Sequence, residues 1–418
     1  MDLQTAITKI AREAKAASRV LSRTPTATKN RALRMMATGL RRAQRALLAA
    51  NRRDVAAAQR ASLSTALVDR LTLTPARIEE MCRGIEQVAA LPDPIGAVIR
   101  EWRRPNGLRI RKVRVPLGVI GIIYESRPNV TADCAVLCLK SGNSTILRGG
   151  SEALHSNQAI AAVLRQRLKA AGLPAGAICV VPTTDRRSID LLTTMPSYLD
   201  LIIPRGGEAL IRRVAAHATV PVIKHYKGVC HVYVDEAADL AKADAIVFNA
   251  KVQRPATCNA METLLVHQKV ASTFLPQALR HLQSAGVEIR GDAATRRLAP
   301  GVKPATEEDW STEYLDLILS VKIVDSPREA IEHINRYGTA HSDAIVTERH
   351  ERAEEFLNNV DSACVYVNAS TRFTDGFQFG LGAEIGISTE KIHARGPMGL
   401  EELTTYKYEI IGNGQIRQ

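Results

Sequence analysis

Cys258 lies in the run Gln253-Arg-Pro-Ala-Thr-Cys-Asn-Ala-Met-Glu, where Pro255 must end whatever regular element precedes it. The pattern after it predicts a helix. A thiol at that helix N-terminus, close to Arg254, would have dipole and cation both favouring thiolate. Such a thiolate can attack an acyl carbon and hold it covalently. The bland alternative is a small buried hydrophobe, the common fate of a free cysteine, but these polar, turn-like neighbours argue against it. The other six cysteines are assigned to packing. Cys134 and Cys138 stand four apart on an apolar helical face with no His or acid in register, and Cys82, Cys179, Cys230 and Cys364 sit in apolar runs. Neither CxxC nor HExxH occurs, so no metal site is expected.

Three glycine features could cradle phosphate: Ser141-Gly142-Asn143, Arg148-Gly149-Gly150-Ser151 and Pro204-Arg205-Gly206-Gly207. Each adjoins an expected strand, where backbone N–H groups at a helix start can face an anion. None is a GxGxxG or a P-loop, and each taken singly reads as a turn. Lys224-His-Tyr-Lys-Gly-Val-Cys-His adds a local basic patch of Lys224, His225 and Lys227 that could attract an anionic substrate; His231 reads as structural.

The elements that must position these residues follow from periodicity. Leu3, Ile7, Ile10, Ala14, Ala17 and Leu21 share one helical face, and a second helix is expected over 28–60, with Leu33, Met36, Leu40, Ala43 and Leu47 on its buried stripe. A third runs from Ala76 to Ala90. Apolar and basic residues then alternate from Leu108 to Val115 around Asn106-Gly107, which predicts a hairpin with one wet face. From Val119 onward short apolar runs (119–123, 144–147, 178–181, 199–203, 220–223) alternate with helical segments (132–139, 153–171, 188–192, 209–216). That alternation implies crossovers and a parallel sheet covered by helices. Further strands are expected at 317–324, 362–367 and 404–411.

The length of 418 residues allows two or three cores, and no run of eighteen apolar residues is present to span a bilayer. The N-terminus has no apolar signal-peptide core, and seven scattered cysteines suit a reducing compartment, so the cytoplasm is expected. The net charge of +13 is concentrated. Residues 1–60 hold 14 Lys/Arg against 3 Asp/Glu, residues 101–114 hold 6 against 1, and the rest is net −3. With aromatics at 4% and no nucleic-acid-binding signature, solvated helix faces explain the charge better than nucleic acid does.

Several segments together are more specific than any one of them. They are Ile122-Ile-Tyr-Glu-Ser-Arg-Pro-Asn-Val-Thr, Asp200-Leu-Ile-Ile-Pro-Arg-Gly-Gly, the run from Asn249 through Cys258-Asn, and Glu313-Tyr-Leu-Asp-Leu. To these add Ala330-Ile-Glu-His-Ile-Asn-Arg-Tyr-Gly with His341-Ser-Asp, and Phe379-Gly-Leu-Gly-Ala-Glu-Ile-Gly-Ile-Ser-Thr. In these the chain resembles, over essentially its whole length, the gamma-glutamyl phosphate reductases, a branch of the aldehyde-dehydrogenase superfamily. Ala340 departs from that pattern, standing where glycine is expected, and Tyr226-Lys227 is unusual for its loop.

The resemblance implies an α/β, aldehyde-dehydrogenase-like fold: a Rossmann-like NADP-binding domain (1–101 and 118–253), an α/β catalytic domain (254–395) and a β oligomerisation element (102–117 and 404–415). It makes Cys258 the nucleophile and Asn129 the oxyanion-hole amide. Arg148, Ser151, Gly206, Gly207 and Glu313 would bind the cofactor. Arg148 falls where the superfamily places a lysine on the adenosine ribose, and Ser151 where NAD-preferring members often carry glutamate, which favours NADPH over NADH. The implied reaction is reduction of L-glutamyl 5-phosphate to L-glutamate 5-semialdehyde through a Cys258 thioester, the second step of proline biosynthesis. Lys224 and His225 stand where hydrolytic relatives keep a carboxylate base; with Arg254 they would serve phosphate instead of activating water. A homo-oligomer of at least two subunits is implied, with glutamate 5-kinase a candidate partner and neither nucleic acid nor membrane involved. An oxidative NAD-dependent aldehyde dehydrogenase, active with phosphate omitted, is the nearer rival; a basic nucleic-acid binder with steeply salt-dependent affinity is the farther one.

Overall fold

The computed structural model describes residues 2–417. Five helices come first: α1 (Leu3–Leu21), α2 (Thr26–Arg42), α3 (Gln44–Arg60), α4 (Thr65–Leu71) and α5 (Pro75–Ala90). Asp2 caps α1 by accepting the Thr5 N–H, and Ile7, Ala11, Ala14 and Leu21 form its fully buried face. The single helix expected over 28–60 is two, because Ala43 leaves the helical region (φ −87°, ψ 3°). The break lets α2 lie on α5 while α3 carries on against a later helix. The seven-residue α4 is too short to leave a periodic trace and went unseen in the sequence.

Strands β1 (Val98–Arg103) and β2 (Arg109–Pro116) form the expected hairpin, its turn closed by Gly107 at φ +89°. There follow β3 (Val119–Tyr124), α6 (Asn129–Lys140), β4 (Ser144–Gly149), α7 (Leu154–Ala170), β5 (Ile178–Val180), α8 (Arg187–Thr193), β6 (Leu201–Arg205) and α9 (Glu208–His217). The four strands pair in parallel in the order β5-β4-β3-β6, and every residue of β3 is buried, as a parallel sheet covered on both faces requires. The strand expected at 220–223 is absent. Only Ile202 and Val222 bridge there, since Pro221 has no N–H to extend a ladder.

The second α/β stretch comprises β7 (Cys230–Val234), α10 (Leu240–Val252), β8 (Met261–His267), α11 (Gln268–Ser284), β9 (Glu288–Gly291), α12 (Ala293–Leu298), β10 (Lys303–Pro304), β11 (Ile318–Val324), α13 (Pro327–Tyr337), β12 (Ser342–Val346), α14 (His350–Asn359) and β13 (Cys364–Val367). Its seven strands are all parallel, ordered β10-β9-β11-β8-β7-β12-β13. The core is apolar and dry: Val232, Val234, Leu264, Val266, Val321, Ala344 and Val346 are fully buried. The short pair β14 (Ile387–Ser388) and β15 (Gly396–Pro397) and the strand β16 (Thr404–Ile411) complete the chain. β16 pairs antiparallel with β2 from Thr404↔Pro116 to Ile411↔Arg109.

The chain divides into two compact units. One runs to Lys224 and takes back Gly380–Gly386 and the chain from Met398; the other is His225–Phe379 with Ile387–Pro397. The division comes earlier than the expected 253/254 boundary, because β7 and α10 belong to the seven-stranded sheet and its cover. The fold class is as expected: α/β, with two parallel sheets and helical crossovers. Among the described residues no helix is long and apolar enough to cross a membrane.

Ala340, the residue out of keeping with its pattern, sits at φ +57°, a left-handed conformation in which Cβ crowds the backbone. Ala340→Gly should therefore stabilise the second unit by about 0.5–1 kcal/mol, the relief of strain outweighing the added freedom of the unfolded glycine. A urea midpoint that fails to rise would contradict this.

Candidate active site

Cys258 is half-buried, while the other six cysteines are buried and all seven are free thiols. It sits in the loop between α10 and β8, and the element that follows is a strand, not the expected helix. Cys258 therefore does not stand at the N-terminus of a helix that follows it. The run Met261–Val266, interrupted by Glu262 and Thr263, is too short for its period to have told strand from helix.

What holds the thiol is the loop's own hydrogen bonding. Thr257 Oγ1 donates to the Arg254 carbonyl (2.8 Å), the Ala260 N–H to the Thr257 carbonyl (3.0 Å), and Asn259 Nδ2 to the Thr374 carbonyl (2.9 Å). Thr371 Oγ1 donates to the Asn259 carbonyl at 2.7 Å. From the other side Gly228 packs so close that a Cβ there would lie 1.8 Å from the Cys258 carbonyl oxygen. The Gly228 N–H donates to Glu313 Oε1 (2.8 Å), and the Cys230 thiol donates to the Cys258 carbonyl (3.2 Å). Cys230 is thus part of the Cys258 setting as well as of the core; burial holds its pKa well above the usual thiol value.

The loop's two ends are joined underneath. Lys251, on the last turn of α10, and Glu262, second in β8, form an ion pair at 2.6 Å, both fully buried. Burial pushes the Glu262 carboxyl up to about 7 and the Lys251 ammonium down, each opposed by its partner. Glu262 also accepts the Leu315 N–H (3.2 Å), which ties the Glu313 segment to the same base.

Sequence reasoning missed Arg372, in the 3₁₀ turn Thr371–Phe373. Its Nη1 donates to Thr257 Oγ1 (2.9 Å) and its Nε to Gln253 Oε1 (2.9 Å), so its guanidinium lies against the turn that carries Cys258. Burial, then the neighbouring Arg254, lowers its pKa, with Cys258 and Asp375 acting the other way. No motif marks an arginine so far along the chain; only the fold brings it to Cys258.

Arg254 is exposed, and the His225 ring meets His341 edge-on at 5.8 Å between centroids. Lys224 and His225 lie on the irregular segment between α9 and β7, not at a strand end. His225, Gly228, Cys258, Glu313 and His341 all precede the strands β7, β8, β11 and β12, so they gather on the amino edge of the seven-stranded sheet.

In the first unit the glycine features sort by edge. Arg148-Gly149-Gly150-Ser151 and Arg205-Gly206-Gly207 leave the carboxyl ends of β4 and β6, the usual ligand edge of such a sheet. Ser141-Gly142-Asn143 enters β4 from the amino end, and the Asn143 side chain bonds the Gly118 N–H (2.8 Å) and the Leu403 carbonyl (2.8 Å). It is a structural turn. The Gly207 N–H at the start of α9 is held by the Glu125 carboxylate at 2.9 Å, so this helix end already accepts an anion. Arg148 is 6% exposed, donates to the Gly149 and Thr184 carbonyls (both 3.1 Å), and has its buried Nε unpartnered. Ser151 is exposed; the adjacent Glu152 carboxylate accepts from the Ser126 N–H (2.5 Å) and Oγ (3.0 Å). Asn129 opens α6 exposed, its amide donating to Asp133 at 2.9 Å, and burial pushes the Asp133 carboxyl up to about 6. Among the described residues no group of His, Cys, Asp and Glu could hold a metal ion.

The aldehyde dehydrogenase family model matches residues 3–308 and 308–408. The gamma-glutamyl phosphate reductase of Moorella thermoacetica is 60% identical over 405 residues, 97% of each chain, and that of Thermodesulfovibrio yellowstonii is 54% identical over the whole of both. The crystal structure of the enzyme of that name from Thermotoga maritima superposes with a TM-score of 0.97 at 51% identity, covering 99% of this chain and all of that one. An acetylating aldehyde dehydrogenase from Geobacillus thermoglucosidasius, 18% identical with a TM-score of 0.69 over 99% of this chain and 98% of its own, shares the fold. The chain belongs to the aldehyde dehydrogenase family.

Proposed function

We propose that the chain reduces L-glutamyl 5-phosphate to L-glutamate 5-semialdehyde, the activity named for its 60%-identical relative, and that it does so through a Cys258 thioester. The observation that carries the reading is the Cys258 loop: a half-buried free thiol, its backbone clamped from both sides, with Arg372 and Arg254 beside it. Cys258 sulfur attacks the acyl carbon, the C–O bond to phosphate breaks, and phosphate leaves with the bonding pair. Asn129, its amide held by Asp133, is assigned to the oxyanion, and Glu313 to the nicotinamide ribose.

The first unit's residues fit a dinucleotide. The helix start at Gly206-Gly207 accepts a carboxylate already, and Arg148 keeps an orphaned buried Nε–H. We assign NADPH, which when bound supplies the hydride. Arg148 brings positive charge to the ribose 2′ position, Ser151 brings none, and Glu152 is engaged by Ser126. We further propose that β1, β2 and β16 mediate self-association. Both outer strands of this sheet are open, and Ile99, Tyr406, Tyr408, Ile410 and Ile411 on them are 44–62% exposed. Seven free cysteines support a cytoplasmic setting.

Three measurements check these readings. In the reverse direction NADP+ reduction by glutamate 5-semialdehyde should require and saturate with inorganic phosphate, should fall on Lys224→Ala or His225→Ala, and should vanish in Cys258→Ser; steady turnover without phosphate, yielding glutamate, would make the enzyme hydrolytic. Ser151→Glu should weaken NADPH in a fluorescence titration by about tenfold or more and NADH far less, as a like-charge contact dictates. Ile410→Lys should lower the mass seen by light scattering, and an unchanged mass would remove this sheet from the interface.

A further inference from the structure

We infer that Arg372, paired with Arg254 across the Cys258 turn, is the anion site that holds the phosphoryl group of the substrate as the thioester forms. The inference rests on the acyl-phosphate reading above and assigns that reaction a residue which neither the sequence motifs nor the family comparison supplies.

Three observations converge on it. Arg372 is fixed relative to the nucleophile, because the segment that carries it is stitched to the Cys258 loop. Its own Nη1 reaches Thr257, the Thr371 hydroxyl reaches Asn259, and Asn259 reaches the Thr374 carbonyl. A guanidinium bonded to the residue before the cysteine stays with the thiol whenever the loop shifts. Its charge is also not neutralised by an ion pair: both hydrogen bonds go to neutral oxygens, Thr257 Oγ1 and Gln253 Oε1. The nearby Asp375 carboxylate serves its own turn, accepting the Phe377 N–H (2.9 Å) and the Gln378 N–H (3.2 Å). Those two bonds leave most of the guanidinium's donors for a ligand. Finally, a second guanidinium of like charge, Arg254, lies close enough to disfavour the charged form of Arg372. The half-buried Arg372 and the exposed Arg254 repel each other until an anion comes between them, and a fork of N–H groups fits the oxygens of a phosphoryl group in pairs.

The chemistry gives such a site work in both directions. As the Cys258 sulfur–carbon bond forms, the carbon–oxygen bond to the phosphoryl group breaks and its electron pair stays on the departing phosphate. Arg372 and Arg254 stabilise that growing charge. In reverse the same pair holds inorganic phosphate with an oxygen facing the thioester carbon, so the acyl group returns to phosphate and the thiolate is released.

The experiment uses the full-length enzyme and inorganic phosphate, with two readouts. In phosphate-dependent NADP+ reduction, Arg372→Ala should raise the KM for phosphate by about tenfold or more, the loss of charge-assisted hydrogen bonds, while the KM for semialdehyde stays within about twofold. Arg372→Lys, which keeps the charge and loses the fork, should fall between. In the second readout phosphate should slow iodoacetamide alkylation of Cys258 in the wild type and lose that protection in Arg372→Ala. Should the alanine variant fail to fold, the lysine variant carries both tests. Phosphate curves and protection that overlay the wild type in every folded variant overturn the assignment. A wild type that turns over without phosphate overturns the acyl-phosphate reading instead, and protection by phosphate still reports on Arg372.

Discussion

The second unit is organised by a contact that no side chain could survive. Gly228 approaches the Cys258 carbonyl so closely that any Cβ would overlap it. That approach lets the Cys230 thiol donate to the same carbonyl and aims the Gly228 N–H at Glu313. With the backbone of residue 258 so immobilised, the freedom left to Cys258 is largely that of its own side chain, the condition a thiol would need to meet an acyl carbon in a reactive geometry. The buried Lys251–Glu262 pair has the complementary role of closing the loop at its base. As a source of stability it is weak, since desolvation of two charges offsets most of their attraction; its value lies in the single arrangement that satisfies both.

The amino-edge position of Cys258 has a physical reading. Open α/β sheets usually bind ligands beyond the carboxyl ends of their strands, and two of the first unit's three glycine turns lie at that edge. In the second unit the candidate residues lie at the opposite edge, where chain segments entering β7, β8, β11 and β12 carry His225, Gly228, Cys258, Glu313 and His341. An electrostatic argument from helix N-termini therefore does not reach this thiol. Local cations and backbone hydrogen bonds take its place, and Arg372 and Arg254 are the cations at hand.

Much of this was legible in the sequence, and the failures have causes. The helix faces of α1 and α5, the Asn106-Gly107 hairpin and the strand–helix alternation from Val119 are periodic signals, and they emerge with ends shifted by a few residues at most. Cys258 stood out because its polar neighbours are wrong for a core. Misread were the elements set by single residues or by distant ones. Pro221 denied a strand its ladder, Ala43 split a helix, and the short segment after Cys258 took strand over helix because sheet neighbours on both sides paired with it. Arg372 was invisible for another reason: its hydrogen-bond partners lie in a loop more than a hundred residues earlier, and nothing local announces it.

The order of segments along the chain has a consequence for how the protein is made. β16 pairs with β2 over eight residues, and the turns at Gly380–Gly386 also belong to the first unit, so the second unit is nested within the first. A ribosome delivers β1 and β2 early, yet β2 gains its second neighbour only once the chain past Thr404 has emerged. Through that interval one edge of β2 stays bare while the nested unit, already synthesised, is free to fold ahead of it. The alternating arginines and lysine along β2 (Arg109, Arg111, Lys112 and Arg114) suit that wait, since a charged strand edge resists pairing with a neighbouring nascent copy.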